Sequence, residues 1–468
     1  MGYKIREIDT ERQFCEQVTV DVIHQVIGLK VIQQVIEDHQ VKEQRIRQLP
    51  AILTVLLCLA MNLMTDLSLR FVLIRLVRGT RLLSDLGIGQ LASKGAVSQA
   101  RYRVGAKPLE TLFKRVCRPI ATPATPGAFA FGLRVVAIDG TVEDVADTSA
   151  NAAYFGRHPA DRGAAAFPQA QGVYLCECGT HVIFDAGFWP IHTSEHVGAQ
   201  RLLRSVEAGM LLMLDRGLYS YALVNTAVHQ GAQVLCRLSS TLKPTCVKVL
   251  PDGSYLAYIF PADRARRQAG ERRLVRIIEY TMEDPTRPGH GLVHRLLTTL
   301  LDPLVYPVLD LIVLYHERWE VEITIDELDT HQRLLDRPFR SRQPAGVIQE
   351  WYGLLVAHFV IRSIMHQAAL AHHLAPDRLS FVDSVRLITD AIADFQLVHP
   401  DHHPRLWQRL LDDIATCVLP PRADRINPRV VKRKMSKFKK KRPEHFRPPR
   451  PRPFREGVVI LSFAPALN

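Results

Sequence analysis

Asp139 ends the short apolar, β-branched run of "LRVVAIDGT", and Asp215 ends another in "MLLMLDRGLYS". Each is followed by glycine within two residues, which lets the backbone turn sharply. Both read as acids at the ends of buried strands. A carboxylate is expensive to bury unless it is paired or binds a metal. Two of them at neighbouring strand ends can share divalent cations, and hard oxygen ligands select magnesium or manganese. A third acid comes from "YHERWEVEITIDELDTH", Tyr315 to His331, where six of seventeen residues are acidic. At about 100° per residue, Tyr315, Arg318, Glu322, Asp326 and Asp329 fall on one helical stripe. Leu314, Val321, Ile325 and Leu328 form an apolar seam beside it, and Glu317, Glu320 and Glu327 point elsewhere, toward water. With the seam against a sheet, Glu322 faces the ends of the Asp139 and Asp215 strands. Three carboxylates then suit two metal ions about 3.5–4 Å apart, which activate a water or a 3′-hydroxyl for in-line phosphoryl transfer.

Such acids need a scaffold, and the hydrophobic periods describe one. Residues 1–125 read as helical. Val22 and Val26, and Ile23, Ile27, Val31 and Val35, recur at helical spacing. "PAILTVLLCLAMNLM" (Pro50 to Met64) reads as a buried helix, "LSLRFVLIRLVRG" stops at a glycine, and "SQARYRVGAKPLETLFKRVCRPI" is basic and amphipathic. "ATPATPGAF" reads as a linker. The period then changes to mixed α/β order. After the Asp139 strand come two strands in "GVYLCECGTHVIFDAGF", a helix in "HVGAQRLLRSVEAG", the Asp215 strand, a helix in "YALVNTAVHQG" and a strand in "AQVLCRLSS". "CVKVLPDGSYLAYIF" flanks Asp252-Gly253 as a hairpin, and "RRLVRIIEYTM" and "HRLLTTLL" add strands. Beyond the acid-rich helix, "AGVIQEWYGLLVAHFVIRSIMHQAAL" is helical again.

The charge narrows the class of partner. The chain has 468 residues, 47% hydrophobic and 23% charged, room for two or three domains. Its net charge of +13 is concentrated: Pro421 to Arg455 holds fifteen Lys and Arg against two acids, and the remainder balances. That Pro-rich, basic end reads as disordered until it meets a polyanion. It lacks the interleaved apolar face of a membrane-surface helix, so nucleic acid fits better. No signal peptide is visible in the charged first fifteen residues. The Pro50–Met64 run is too short to span a bilayer comfortably. Eight cysteines make no disulfide framework, and Cys176 and Cys178 are a close pair without a second to complete a zinc site. A reducing cytoplasm is expected. "HTSEH" (His192 to His196) matches a reversed zinc-hydrolase pattern, but Thr193-Ser194 read as a helix N-cap, which leaves His192 outside the helix. "HPDHH" (His399 to His403), broken by Pro400, reads as a surface turn.

Tyr-x2-Arg-x3-Glu, met by Tyr315, Arg318 and Glu322, resembles the hallmark of DDE transposases of the insertion-sequence-four family. "AIDGT" and "LDRGLYS" resemble its two aspartate motifs, "SQARYRVGAKPLETLFKRV" and "LP…LAMNLM" its N-terminal domain, and "PPRADRINPRVVKRKMSKFKKKRP" its basic C-terminal end. The resemblance implies an α/β, ribonuclease-H-like catalytic core with a β-rich insertion, preceded by a helical N-terminal domain and followed by a basic tail. The expected divisions are 1–125 for the helical DNA-binding domain, 126–240 for the first part of the core, 241–300 for the insertion, 301–395 for the rest of the core with the Glu helix, and 396–468 for a C-terminal helix and the tail. The 106 residues between Asp215 and Glu322 leave room for the insertion. Asp139, Asp215 and Glu322 are then the metal-binding catalytic acids, with Mg2+ as cofactor and Mn2+ able to substitute. Tyr315 and Arg318 are expected to hold the phosphate backbone at the transposon end. Lys432, Arg433, Lys434, Lys439, Lys440 and Lys441 are expected to add DNA affinity. The partners are terminal inverted repeats, target DNA and a second copy of the chain, in the bacterial cytoplasm at the nucleoid. One departure stands out: the family pattern has Lys seven residues after the Glu, and here that position is Asp329. The expected function is a transposase that cuts at its element's ends and joins them to target DNA. The alternatives are a catalytically inactive, transposase-derived DNA-binding protein, for which Asp329 is the signal, and a zinc-dependent hydrolase, which leaves the three acids unexplained.

Overall fold

Helices lead the chain. In the computed structural model the described residues are 21–43, 49–77, 92–160, 163–285, 287, 289–316, 319–333, 337–419 and 453–463. α1 (Asp21–His24), α2 (Leu29–Asp38), α3 (Ala51–Leu63), α4 (Leu69–Val77), α5 (Lys94–Val104) and α6 (Lys107–Val116) precede every described strand. α3 is apolar all round and every one of its residues is buried. α5 starts where the Ser93 hydroxyl accepts from Ala96 N–H at 3.2 Å. Next come β1 (Phe129–Ala130), β2 (Leu133–Asp144), α7 (Ser149–Phe155) and a small ribbon of β3 (Pro159–Ala160) and β4 (Gly163–Ala164). β5 (Gln169–Glu177), β6 (Val182–Pro190), α8 (Glu195–Leu202), β7 (Met210–Leu214), α9 (Tyr221–His229) and β8 (Gln233–Arg237) follow in the order their periods predict. β9 (Cys246–Val249), β10 (Tyr255–Ile259), α10 (Arg264–Gln268), β11 (Arg273–Met282) and β12 (His294–Thr298) make the β-rich insertion. α11 (Val308–His316), α12 (Trp319–Asp326) with a π turn at Glu327–Gln332, α13 (Pro344–Ala371), α14 (Phe381–Leu397), α15 (His403–Thr416) and β13 (Val458–Ile460) complete the described elements.

Two compact units divide the chain. The first comprises Met1–Ala128, Asp139–Leu202 and Glu320–Leu419. Its axis is α13, 28 residues long, which buries Trp351, Leu354, Leu355, Ile361 and Ile364 completely. Each such side chain contributes roughly 1.5–3 kcal/mol on leaving water. α13 is long and apolar enough to cross a membrane, but 83% of its apolar window is buried inside the protein, as in a core helix. α3 packs closely against it: a Cβ on Gly353 would lie 2.7 Å from the Cys58 carbonyl. The strands of this unit run in the order β6-β5-β2, with β5 and β6 antiparallel from Ala170↔Pro190 to Glu177↔Val182.

The second unit comprises Phe129–Ile138, Leu203–Trp319 and Pro420–Asn468, so β2 contributes to both. Here β2, β7 and β8 are parallel, in register through Val135↔Leu211 and Leu211↔Gln233. β12 then pairs antiparallel with β8, and β11, β10 and β9 follow in turn. The insertion therefore extends the edge of this sheet through β12. One feature has no counterpart in the expected free tail: β13 returns to the sheet and pairs with β11 as Tyr280↔Ile460, Thr281↔Val459 and Met282↔Val458.

Candidate active site

In the first unit Asp139 sits inside β2 rather than at its end. Pairing with β7 stops at Ala137, and the strand runs on to Asp144 beside β5. Gly140 follows for a reason other than a turn. A Cβ there would meet Glu195 Oε1 at 2.7 Å and the Gly172 carbonyl at 3.0 Å. The half-buried Asp139 carboxylate accepts from Gly140 N–H at 2.9 Å. Cys176 on β5 senses both Asp139 and Glu327: burial, then those two carboxylates, push its thiol well above the usual range. Asp139 and Glu327 thus both lie close enough to β5 to act on Cys176.

Glu322 is half-buried on α12, between buried Val321 and Thr324. The π turn after Asp326 changes the helical phase, and with it two expectations. Glu327, expected to face water, is 2% exposed. Arg362 of α13 grips it through Nε and Nη2, one on each carboxylate oxygen, and His358 Nε2 donates to it at 3.3 Å. Arg362 Nη2 also lies 2.6 Å from His181 Nδ1, which in turn lies 3.2 Å from the Glu327 carboxylate. Burial alone would raise the Glu327 carboxyl, but Arg362 and the histidines hold it well below the usual range. His181 meets this cluster from a left-handed backbone conformation, φ 59°.

Asp329, expected on the stripe of Glu322, belongs to a second cluster and is half-buried there. Arg333, one turn on, donates to Glu143 of β2 and, at 3.3 Å, to Asp329, with its guanidinium 3.9 Å from the Phe339 ring centroid. Tyr174 donates to Glu143 at 3.1 Å and Trp351 Nε1 donates to Tyr174 at 3.2 Å. Burial and then the Glu143 carboxylate push Asp329 up to about 8, against the pull of Arg333. The carboxyl at 329 therefore carries little charge at neutral pH, held between Glu143 and Arg333. Neither Arg333 nor Arg362 was marked by its spacing. An arginine inside an apolar helical run, as in "FVIRSIM", was the available signal for Arg362.

In the second unit Asp215 follows β7 directly. Leu218 N–H donates to its Oδ1 at 2.7 Å, and a Cβ on Gly217 would come within 3.2 Å of Oδ2. Here the glycine does serve a turn that folds back over the acid. Burial and the Asp215 carboxylate raise the neighbouring Cys236 thiol. Tyr315 is 7% exposed, and its hydroxyl donates to the Leu214 carbonyl at 3.2 Å. The hydroxyl expected at a DNA phosphate is instead turned inward, onto the peptide that precedes Asp215. Arg318, Lys432, Arg433, Lys434, Lys439, Lys440 and Lys441 lie outside the described residues.

The rival motifs take structural places. Ser194 caps α8 by accepting from Val197 N–H at 3.4 Å, and His192 lies before the helix, exposed. Pro400–His402 form a short 3-10 turn, and the His403 ring lies 3.0 Å from the Phe395 carbonyl. Among the described residues no group of three or more His, Cys, Asp and Glu side chains is arranged to hold a metal ion. The donor chemistry nonetheless suits a hard cation: Asp139, Asp215 and Glu322 are all carboxylates with part of their surface at solvent.

Two families match this sequence. One, described as insertion element 4 transposase N-terminal, covers residues 17–114. The other, described as transposase DDE domain, covers residues 130–360, a span that includes all three acids. The transposase InsG for insertion sequence element IS4 of Escherichia coli (strain K12) is 28% identical over 353 residues, 73% of this chain and 77% of the relative. The putative transposase InsZ of the same strain is 30% identical over 157 residues, 33% of this chain and 52% of the relative. Among solved structures, the cryo-EM structure of a piggyBac transposase synaptic complex with hairpin DNA covers 90% of this chain and 86% of that chain, at 11% identity and a TM-score of 0.41.

Proposed function

We propose the following chemistry for this chain, which belongs to the DDE transposases of the insertion-sequence-four family. It is the transposase of an insertion sequence, a DNA-cleaving enzyme, and Asp139, Asp215 and Glu322 are its catalytic carboxylates. They hold divalent metal, Mg2+ in the cell and Mn2+ as a substitute. Bound there, such ions supply Lewis-acid activation of the attacking oxygen and charge neutralisation at the leaving one. The chain's own task is to hold its acids still and to grip DNA. Gly140 N–H and Leu218 N–H fix one oxygen each of Asp139 and Asp215. Arg318 binds backbone phosphate in bidentate fashion. The basic segment adds sequence-independent, salt-sensitive affinity. Terminal inverted repeats and target DNA are the substrates, a homodimer pairs the two ends, and the bacterial nucleoid is the place of action.

The observation that carries this reading is the coincidence of the matched DDE domain with three acids left half-buried while Glu327 and Glu143 are sealed by arginines. The inactive-copy alternative drew on Asp329 as an added anion, and a carboxyl raised to about 8 beside Arg333 weighs against it. A cleavage assay tests the proposal, on DNA carrying the two ends that flank the gene, with Mg2+, Mn2+ or EDTA. Metal-dependent cutting at the ends that disappears in Asp139→Asn is the expected result. Tight end binding by the wild type with no cutting under any metal would favour the inactive copy.

A further inference from the structure

The C-terminal end of the chain hooks back onto the element that carries Tyr315. After the basic segment, Phe454 lies flat on His316: the ring centroids are 3.8 Å apart and the planes 6° from parallel. Phe454 is 7% exposed, and the Arg287 guanidinium sits 5.2 Å from its ring centroid on the insertion side. Burial and then Arg287 hold His316 down at about 4, so the stacked imidazole is neutral. Arg455 donates to Asp310, two turns earlier on α11, at 2.6 Å. β13 then pairs with β11, Leu461 N–H donates to the Glu279 carbonyl at 2.9 Å, and Phe463 packs on Tyr255 at 4.4 Å. The hook is therefore fastened at both ends, to α11 and to the β-rich insertion.

Tyr315 precedes His316 and donates to the Leu214 carbonyl, which precedes Asp215. A continuous path of contacts runs from Phe454 through His316 and Tyr315 to the peptide that carries the second acid, all inside the second unit. We propose that the C-terminal hook, Pro453–Phe463, is a positioning element for DNA cleavage, which sets Asp215 through the His316–Tyr315 strut. This rests on the reading of Asp215 as a catalytic acid. Phe454 and Tyr315 act through another residue and are positioning residues.

The test uses the full chain and DNA bearing the element's ends. Cleavage at saturating DNA, end-binding affinity and melting temperature are measured for Phe454→Leu, Phe454→Tyr, Tyr315→Phe and the Phe454→Leu/Tyr315→Phe double variant. Misplacing a reacting group by about 1 Å costs on the order of 10²-fold. Phe454→Leu and Tyr315→Phe should therefore each slow cutting by roughly 10- to 100-fold with end-binding affinity unchanged. The double variant should be no slower than the slower single one, because both act on one path. Phe454→Tyr, which keeps the stack, should cut near the wild-type rate. Tyr315→Phe removes only a hydroxyl, so it reports on the strut even if Phe454→Leu folds poorly. Wild-type cutting by Tyr315→Phe, losses that multiply in the double variant, or a parallel loss of end binding would each overturn the inference. Asp215→Asn separates the two failures: if that variant still cuts, the catalytic reading itself is wrong.

Discussion

Within the first unit, Asp139 and Glu322 differ from Glu327 and Glu143 in what the protein has done with the charge. The first pair is half-buried. The second pair is nearly water-free and gripped by arginine, Glu327 by Arg362 and Glu143 by Arg333. A buried ion pair adds little stability over an apolar filling, yet breaking one by removing a partner is costly. The sealed acids therefore fix the position of α12 and its π turn, while the half-open ones keep part of their surface at solvent. Glu322 and Glu327 are five residues apart on one acid-rich stretch, and composition cannot separate their roles.

The sharpest way to break that contrast is to neutralise each class. Asp139→Asn, Asp215→Asn and Glu322→Gln should each lower end cleavage by about 10³-fold or more, the rate equivalent of the several kcal/mol that metal binding contributes. Their melting temperatures should stay close to wild type. Arg362→Met leaves Glu327 buried without its guanidinium and with only histidine partners, and should destabilise the fold by about 3–5 kcal/mol, read by denaturant titration. A folded Arg362→Met protein of wild-type stability would remove the distinction.

Charge on the described acids and charge on the basic segment should also part company. Neutralising Lys432, Arg433, Lys434, Lys439, Lys440 and Lys441 together should flatten the dependence of log K on log salt by up to about 5, at roughly 0.9 per phosphate contact. The smallest effect is a pH dependence at Asp329. Its carboxyl titrates at about 8 in the folded protein, above its ordinary 3.8. Between those values the folded state holds a proton that the unfolded chain does not, so this group lowers stability as pH rises from about 4 to about 8. Asp329→Asn abolishes that linkage. The variant should gain on wild type as pH rises, by on the order of 2–4 °C in Tm for each kcal/mol. A constant difference across that range would show that Asp329 keeps an ordinary carboxyl.

Most strands and helices were legible because their apolar periods are unambiguous. The run ending at Leu214 and the all-apolar α3 are examples. The transposase domain that spans the three acids was legible through motif spacing. Their surroundings were not. Gly140 reads as a turn residue in sequence, but it answers to the crowding of Glu195 and Gly172, which come from other elements. A single helical stripe from Tyr315 to Asp329 assumed one phase, and the π turn at Glu327–Gln332 shifts it. The return of Val458–Ile460 to β11 was invisible because three residues carry too little pattern to name a strand across a basic segment.

The central claim is that Glu322 serves the reaction and Glu327 serves the fold, and one paired measurement addresses it. Glu322→Gln and Glu327→Gln are compared for metal-dependent end cleavage at saturating DNA and for Tm in the same buffer. The account predicts that Glu322→Gln keeps its Tm and loses cutting, while Glu327→Gln loses Tm and, where still folded, cuts at a measurable rate. A Glu327→Gln protein that melts like wild type but cannot cut, or a Glu322→Gln protein that cuts normally, would contradict it.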